Sequence, residues 1–250
     1  MEKAPKVAVV IHAHHLDVLE EILYHLESIP GEFDLFLNFS YISKQNEKYI
    51  LDIEEVLKKS IPGKCYFTTS DNRGQDLGGF FASTKKAKEN NLSYNFVCKV
   101  HTKKNENKMI KAFHTTRTWW RQRLLKSLLG NVNQVESIFK IFKTYPNVGM
   151  ICDHKFYCKM WEPKNKPSYD FFVNKLQLKK EACYPNNLHF LAGTMFWMRG
   201  DVWDFLMDKD ITIKDFEIGS ASDGLRSHAF ERVFDAVVRH LDYGVWLLGK

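Results

Sequence analysis

Alternation in the first hundred residues constrains this chain most. Val7-Ala-Val-Val-Ile11 is an unbroken apolar, largely β-branched run, the pattern of a strand covered on both faces. Leu16 to Leu26 follows with apolar residues at 16, 19, 22, 23 and 26, the spacing of one helix face. Phe33 to Phe39 reads as a second strand. Tyr49 to Leu57 reads as a helix, with Ile50, Ile53, Val56 and Leu57 on one side. Cys65-Tyr-Phe-Thr-Thr69 is a third strand, ended by the turn-prone Ser70-Asp-Asn-Arg-Gly74. Phe80 to Glu89 is helical, and Tyr94 to Val100 is a fourth strand. Such alternation predicts an α/β fold with a mostly parallel central sheet and helices on both faces. In such sheets ligands bind beyond the carboxyl ends of the strands.

The second half is less regular. Trp119 to Leu129 is an amphipathic basic helix, and Val132 to Lys143 is another, stopped before Tyr145-Pro146. Val148 to Cys152 is a strand. Asp153 to Asn187 is aromatic, Lys-rich and aperiodic, which predicts a long loop region with one helix near Phe171 to Leu178. A strand near Phe190, a helix over Asp201 to Met207 and a final helix from Asp223 complete the pattern. No repeat or linker divides the chain. The reading is one domain over 1–250, with the regular alternation over about 1–105 and the less regular part over about 106–250.

At 250 residues a full core is within reach. A net charge of +6 favours phosphate-bearing ligands, anionic membrane or nucleic acid without choosing among them. No apolar run has the length of a membrane span, and no signal-peptide pattern opens the chain. The expectation is a cytoplasmic protein or one peripheral at the inner face of the membrane. The five cysteines have irregular spacing, and Cys65, Cys98 and Cys152 interrupt apolar runs, so reduced, buried thiols are expected.

Four places carry candidate chemistry. His12-Ala-His-His15 follows the first strand, where His12 and His14 are candidates for ligand contact, with a metal site or a solvated loop as alternatives. Asn72-Arg-Gly-Gln-Asp-Leu-Gly-Gly79 follows the third strand. Its glycines would let backbone approach a ligand, and Arg73 and Asp76 suit phosphate and sugar hydroxyls. It is neither a Walker loop nor GxGxxG. Lys99-Val-His-Thr-Lys-Lys104 closes the fourth strand and offers His101 and Lys103, or else a solvent-facing basic strand end. In the last helix Ser222 is a candidate N-cap, Asp223 sits in the expected first turn, and His228 and Glu231 share a face. Phe196 and Trp197 are candidates for stacking on a sugar ring, or plain core. For Trp119 to Leu129 a core-packing helix is preferred to a membrane-surface or nucleic-acid helix.

The order of these pieces is similar to that of GT-A sugar transferases, and the chain as a whole resembles the rhamnan synthesis protein F family. The matching segments are Val9-Val-Ile-His-Ala-His14, Asn72 to Gly78, Lys99-Val-His-Thr-Lys103, Trp120-Arg121, Gly193-Thr-Met-Phe-Trp197 and Asp223 to Arg232. The resemblance implies a GT-A-like glycosyltransferase that extends a cell-surface polysaccharide such as cell wall, capsule or O-antigen. It implies a dTDP- or UDP-sugar donor, rhamnose or similar, and a glycan or lipid-linked glycan acceptor. Asp223 would be the general base of an inverting transfer, with Glu231 and His228 beside it. Asn72, Arg73, Asp76, His101 and Lys103 would hold the donor. Where GT-A enzymes carry Asp-x-Asp with Mn²⁺ or Mg²⁺, this chain has His101-Thr-Lys103, so the expectation is metal-independent transfer, with Mn²⁺ or Mg²⁺ as the alternative. A non-catalytic glycan- or nucleotide-binding module is the rival from another class. Nucleic acid is not an expected partner.

Overall fold

The computed structural model describes residues 4–40, 47–104, 109–110, 115–159, 163–183, 189–219 and 224–249. Strands β1 (Val7–Ala13), β2 (Phe33–Ser40), β3 (Cys65–Ser70) and β4 (Phe96–His101) alternate with helices α1 (Leu16–His25), α2 (Glu47–Ser60) and α3 (Gln75–Glu89). A small hairpin, β5 (Met109–Ile110) and β6 (Thr115–Thr116), leads to α4 (Arg117–Leu129), α5 (Val132–Thr144) and β7 (Val148–Asp153). Then come β8 (Tyr157–Cys158), α6 (Lys166–Leu176), α7 (Lys180–Cys183), β9 (Phe190–Leu191) and β10 (Phe196–Arg199). The last elements are α8 (Gly200–Asp208), α9 (Arg226–His240) and β11 (Gly244–Leu248).

The main sheet has seven strands in the order β11-β7-β10-β4-β1-β2-β3. All neighbours are parallel except β10, which runs antiparallel to both β4 and β7. Because β10 is reversed, its first residue pairs near the carboxyl end of β4, with Phe196 opposite Lys99. Side chains alternate across the sheet with period two. Val7, Val9 and Ile11 face one cluster with α1, α4 and α5, while Ala8 and Val10 face a second with α3, α6, α8 and α9. Both faces are covered, which is why the strands read as continuous apolar runs.

Several boundaries differ from expectation. Helix α3 starts at Gln75, not Phe80, so Asp76, Gly78 and Gly79 are helical. These glycines serve packing. A Cβ on Gly79 would stand 2.1 Å from His12 Nδ1 and 2.4 Å from Asn38 Oδ1, and one on Gly78 would stand 1.9 Å from the Arg73 carbonyl oxygen. Gly74, at φ +71°, makes the left-handed turn into the helix. Helix α6 starts at Lys166, earlier than expected, with proline in its first turn, where the missing N–H costs nothing. The expected strand near Phe190 is two short ones. β9 pairs with β8, and β10 carries the aromatic pair into the main sheet.

Helix α9 begins at Arg226, so the expected opening with a Ser222 cap and Asp223 in the first turn is corrected; both residues lie outside the described ones. Its N-cap position is Leu225, which supplies no side-chain bond. Instead the Arg226 N–H donates to Glu217 Oε2 at 2.9 Å, a carboxylate at a helix N-terminus. Strand β11 was not expected.

Helix α4 is core. Trp120, Leu124, Leu125, Leu128 and Leu129 are buried in the cluster with α1 and α5, leaving no continuous apolar face for a membrane. Among the described residues no helix is long and apolar enough to cross a membrane. All five cysteines are free; Cys98, Cys152 and Cys183 are buried, and Cys65 is half-buried. Burial pushes the Cys65, Cys158 and Cys183 thiols up to about 11, away from thiolate chemistry.

Candidate functional site at the carboxyl edge of the sheet

Four strands end together, and a polar row crosses one face of the sheet near their carboxyl ends. Register aligns His101 of β4, His12 of β1, Asn38 of β2 and Thr68 of β3 across one face of the sheet. The bonds run sideways along it. His12 Nδ1 lies 2.9 Å from Asn38 Oδ1, and Asn38 Nδ2 donates to Thr68 Oγ1 at 2.9 Å. Ser40 Oγ lies 3.1 Å from His12 Nε2, and the Ser70 hydroxyl donates to Asn38 Oδ1 at 2.9 Å. With Asn38 Oδ1 as acceptor, His12 carries its proton on Nδ1 and accepts from Ser40 on Nε2. His12 is therefore inside β1 and not after it, and protein partners occupy both ring nitrogens.

Burial lowers the His12 pKa to about 4, against bonding to Asn38 that would raise it. The folded protein keeps this ring neutral where the unfolded chain, near 6.5, takes a proton. Its contribution is full above the unfolded value and falls away as pH drops from there toward the folded one. The loss over that window is about 3 kcal/mol. Urea melts near neutral pH and at the acid end should diverge more for the wild type than for His12→Asn. Parallel behaviour would assign the acid sensitivity to another group.

Beside this row stands a buried charge cluster. The Lys99 ammonium donates to Asp76 Oδ2 at 2.5 Å and to the Thr194 carbonyl at 2.9 Å. The Thr194 hydroxyl donates to the same Asp76 oxygen at 2.6 Å, and His101 Nδ1 lies 3.1 Å from it. Burial alone would raise the Asp76 pKa. The neighbouring His101 and Lys99 outweigh it, through charge and hydrogen bonds, and hold the carboxyl well below the usual carboxylate range. Burial lowers the His101 pKa, against the charge and hydrogen bond of Asp76, which raise it. His101 Nε2 is buried with no partner among the described residues.

The remaining candidates are distributed around this cluster. Arg73 Nη1 donates to the Phe216 carbonyl at 2.7 Å, and Arg73 forms a bridge with Ile218. The Asn72 carbonyl accepts from the Gly219 N–H at 3.2 Å, so this turn is tied to the chain just before residue 220. His14 is exposed; its N–H and that of His15 donate to Thr102 Oγ1 at 2.8 and 2.9 Å. Lys103 does not join Asp76. Its ammonium lies 4.2 Å from the Trp120 ring centroid. Phe196 and Trp197 are fully buried in β10, with Trp197 Nε1 donating to the Leu128 carbonyl at 3.0 Å, so the pair is core and cannot stack on a sugar. His228 and Glu231 lie on α9, where Glu231 Oε2 stands 3.9 Å from Arg232 Nη1. Asp223 lies outside the described residues.

Sequence reasoning missed Lys99, Thr102, Thr194 and Asp235. Lys99 had a usable signal, because a lysine centred in Phe96-Val-Cys-Lys-Val100 must find an anion once the strand is buried. Asp235, fully buried, accepts from the Tyr157 hydroxyl at 2.6 Å and from Arg239 Nε at 2.9 Å. It extends the His228 and Glu231 face of α9 by another turn.

Comparison with known proteins follows the same span. The Xanthomonas campestris pv. campestris protein named "Uncharacterized protein WxcX" is 27% identical over 245 residues in strain B100, covering 97% of this chain and 32% of that protein. The homologue of that name in strain ATCC 33913 is 26% identical over 245 residues with the same coverage. This chain thus spans about a third of the length of these curated relatives. The crystal structure of S. aureus TarS 1-349 matches with a TM-score of 0.49 at 10% identity, over 92% of this chain and 55% of that one. Residues 1–243 match the family described as Rhamnan synthesis protein F. The chain belongs to the rhamnan synthesis protein F family.

Proposed function

We propose that this chain is an inverting glycosyltransferase domain of polysaccharide synthesis. It moves a sugar, rhamnose or similar, from a dTDP- or UDP-linked donor to a glycan or lipid-linked glycan acceptor. The observation that carries the reading is the polar row and charge cluster at the carboxyl edge of β1 to β4, in a family named for rhamnan synthesis.

The roles follow from charge. Asp76 is committed to Lys99, His101 and Thr194, and we assign it to holding the site together. Arg73 is bonded to a carbonyl, which leaves its positive charge uncompensated by that partner and suited to a diphosphate. Asn72 and His14 are exposed and complete the donor side. Lys103, above Trp120, stands ready on the β4 side. Asp223 takes the proton of the acceptor hydroxyl as that oxygen bonds to the anomeric carbon. The bond from that carbon to the diphosphate breaks in the same step, and the nucleotide leaves with the electron pair. Glu231 is the next candidate base and His228 its neighbour. The transfer needs no metal in this reading, and it takes place in the cytoplasm or at the inner face of the membrane.

The test is a thermal-shift series with dTDP- and UDP-sugars in EDTA and with Mn²⁺. A matched nucleotide sugar at about a hundred times its Kd should stabilise the fold by about 2.7 kcal/mol, with EDTA present. Stabilisation that requires Mn²⁺ would overturn metal independence, and no response to any nucleotide sugar would remove the donor reading. Among the described residues the one carboxylate in the cluster is locked by three partners, which favours a non-catalytic binding module as the second reading. Donor stabilisation without turnover would select it.

A further inference from the structure

Strand β3 ends the sheet among the described residues, and it is exposed where its neighbours are not. All of β1 and nearly all of β2 are buried, whereas Cys65 to Ser70 are half-buried or exposed throughout. Exposed edges are normally blunted by charge, proline or a bulge on the strand itself. Cys65-Tyr-Phe-Thr-Thr-Ser70 has none of these, and its pairing with β2 is regular over six residues. It is a strand of high β propensity with one row of backbone groups directed away from the sheet.

That edge opens into a cleft of about 990 Å³. Glu54 of α2 borders it on one side and α3 on the other, and the segment after α8 closes the far wall. Phe67, Leu206, Ile211 and Ile213 give it an apolar floor. Its rim carries Lys85, Lys86, Lys88, Lys209 and Lys214, against Glu54, Glu89 and Asp210. Lys85 stands 3.8 Å from Glu89, and Lys88 donates to the Met207 carbonyl at 2.9 Å. Lys86 and Lys214 have no carboxylate partner among the described residues.

We propose that this cleft docks an extended acidic peptide segment of a partner protein, which adds as a strand to β3. Main-chain bonds to the open edge supply affinity, the apolar floor takes alternate side chains, and the lysine rim selects Asp and Glu on the others. Because these lysines stand on α3 and on the segment after α8, they leave the edge itself accessible. A second copy of this chain would offer β3 the same uncharged strand and would leave the lysine rim unmatched.

The probe is a synthetic peptide alternating Glu with Val, compared with one alternating Lys with Val. Binding by fluorescence anisotropy is combined with hydrogen exchange on the whole chain. The acidic peptide should bind, more weakly as salt rises, and should slow exchange of the β3 amides. The Lys86→Glu, Lys214→Glu double variant should weaken binding by about tenfold or more at unchanged melting temperature. Absence of β3 protection at millimolar acidic peptide overturns the proposal. So does equal binding of the two peptides, or inorganic polyphosphate that competes without β3 protection, which would make the cleft an anion site. Concentration-dependent β3 protection without peptide would assign the edge to a second copy.

Discussion

Asp76→Asn should cost about 3–5 kcal/mol of folding stability, because it leaves the buried Lys99 ammonium without its anion. Lys99 is almost wholly buried, and the Asn amide oxygen and the Thr194 oxygens are neutral acceptors that leave its charge uncompensated. Urea unfolding at neutral pH measures the loss. The double change Asp76→Asn with Lys99→Met should recover much of it, since an apolar side chain then lies against Phe80 and Phe196, over which the ammonium now sits. Acid should act like the single substitution. The Asp76 carboxyl is held below its ordinary value, so its stabilisation is present above the unfolded pKa and disappears as pH falls through the folded one. A loss under about 1 kcal/mol in the single variant would show that the ammonium is solvated or neutral, and that Asp76 is free for another role.

Asp223→Asn should lower turnover by about 10²–10⁴-fold while leaving donor binding intact. The described N-terminus of α9 draws its bond from Glu217, so folding should change by less than about 1 kcal/mol. Turnover with the donor found by thermal shift, measured beside a melting curve, decides the matter. Retention of more than about a tenth of wild-type turnover would transfer the base role to Glu231.

The first half of the fold was legible because its signals are local. Each of β1 to β4 is a run that no helix pattern imitates, and α1 and α2 show their apolar faces directly. Gly78 and Gly79 misled because glycine serves a helix lying close on a sheet as well as a loop close to a ligand; the clash with His12 that decides between them is a long-range fact. Phe196 and Trp197 misled in the same way, since a buried strand and a sugar platform use the same residues. At the site, position was readable and state was not. His101 does end β4 at the carboxyl edge, but its proton affinity is set by burial, which lowers it, against Asp76, a residue 25 positions earlier, which raises it. Strand β11 gave only five residues and depends on pairing with β7 across a long stretch of chain.

The reversal of β10 also sets a clock. Strand β4 gains its second neighbour only when residues about 95 positions later arrive, as the link from Lys99 to Thr194 measures. At roughly 5–20 residues per second, a growing chain holds β1 to β4 with an unpaired inner edge for roughly 5–20 s. Throughout that interval the edge that becomes the middle of the sheet is as open as β3. A charged lysine at its centre, still without the Thr194 oxygens, then does what edge lysines do elsewhere, discouraging premature pairing with a neighbouring chain.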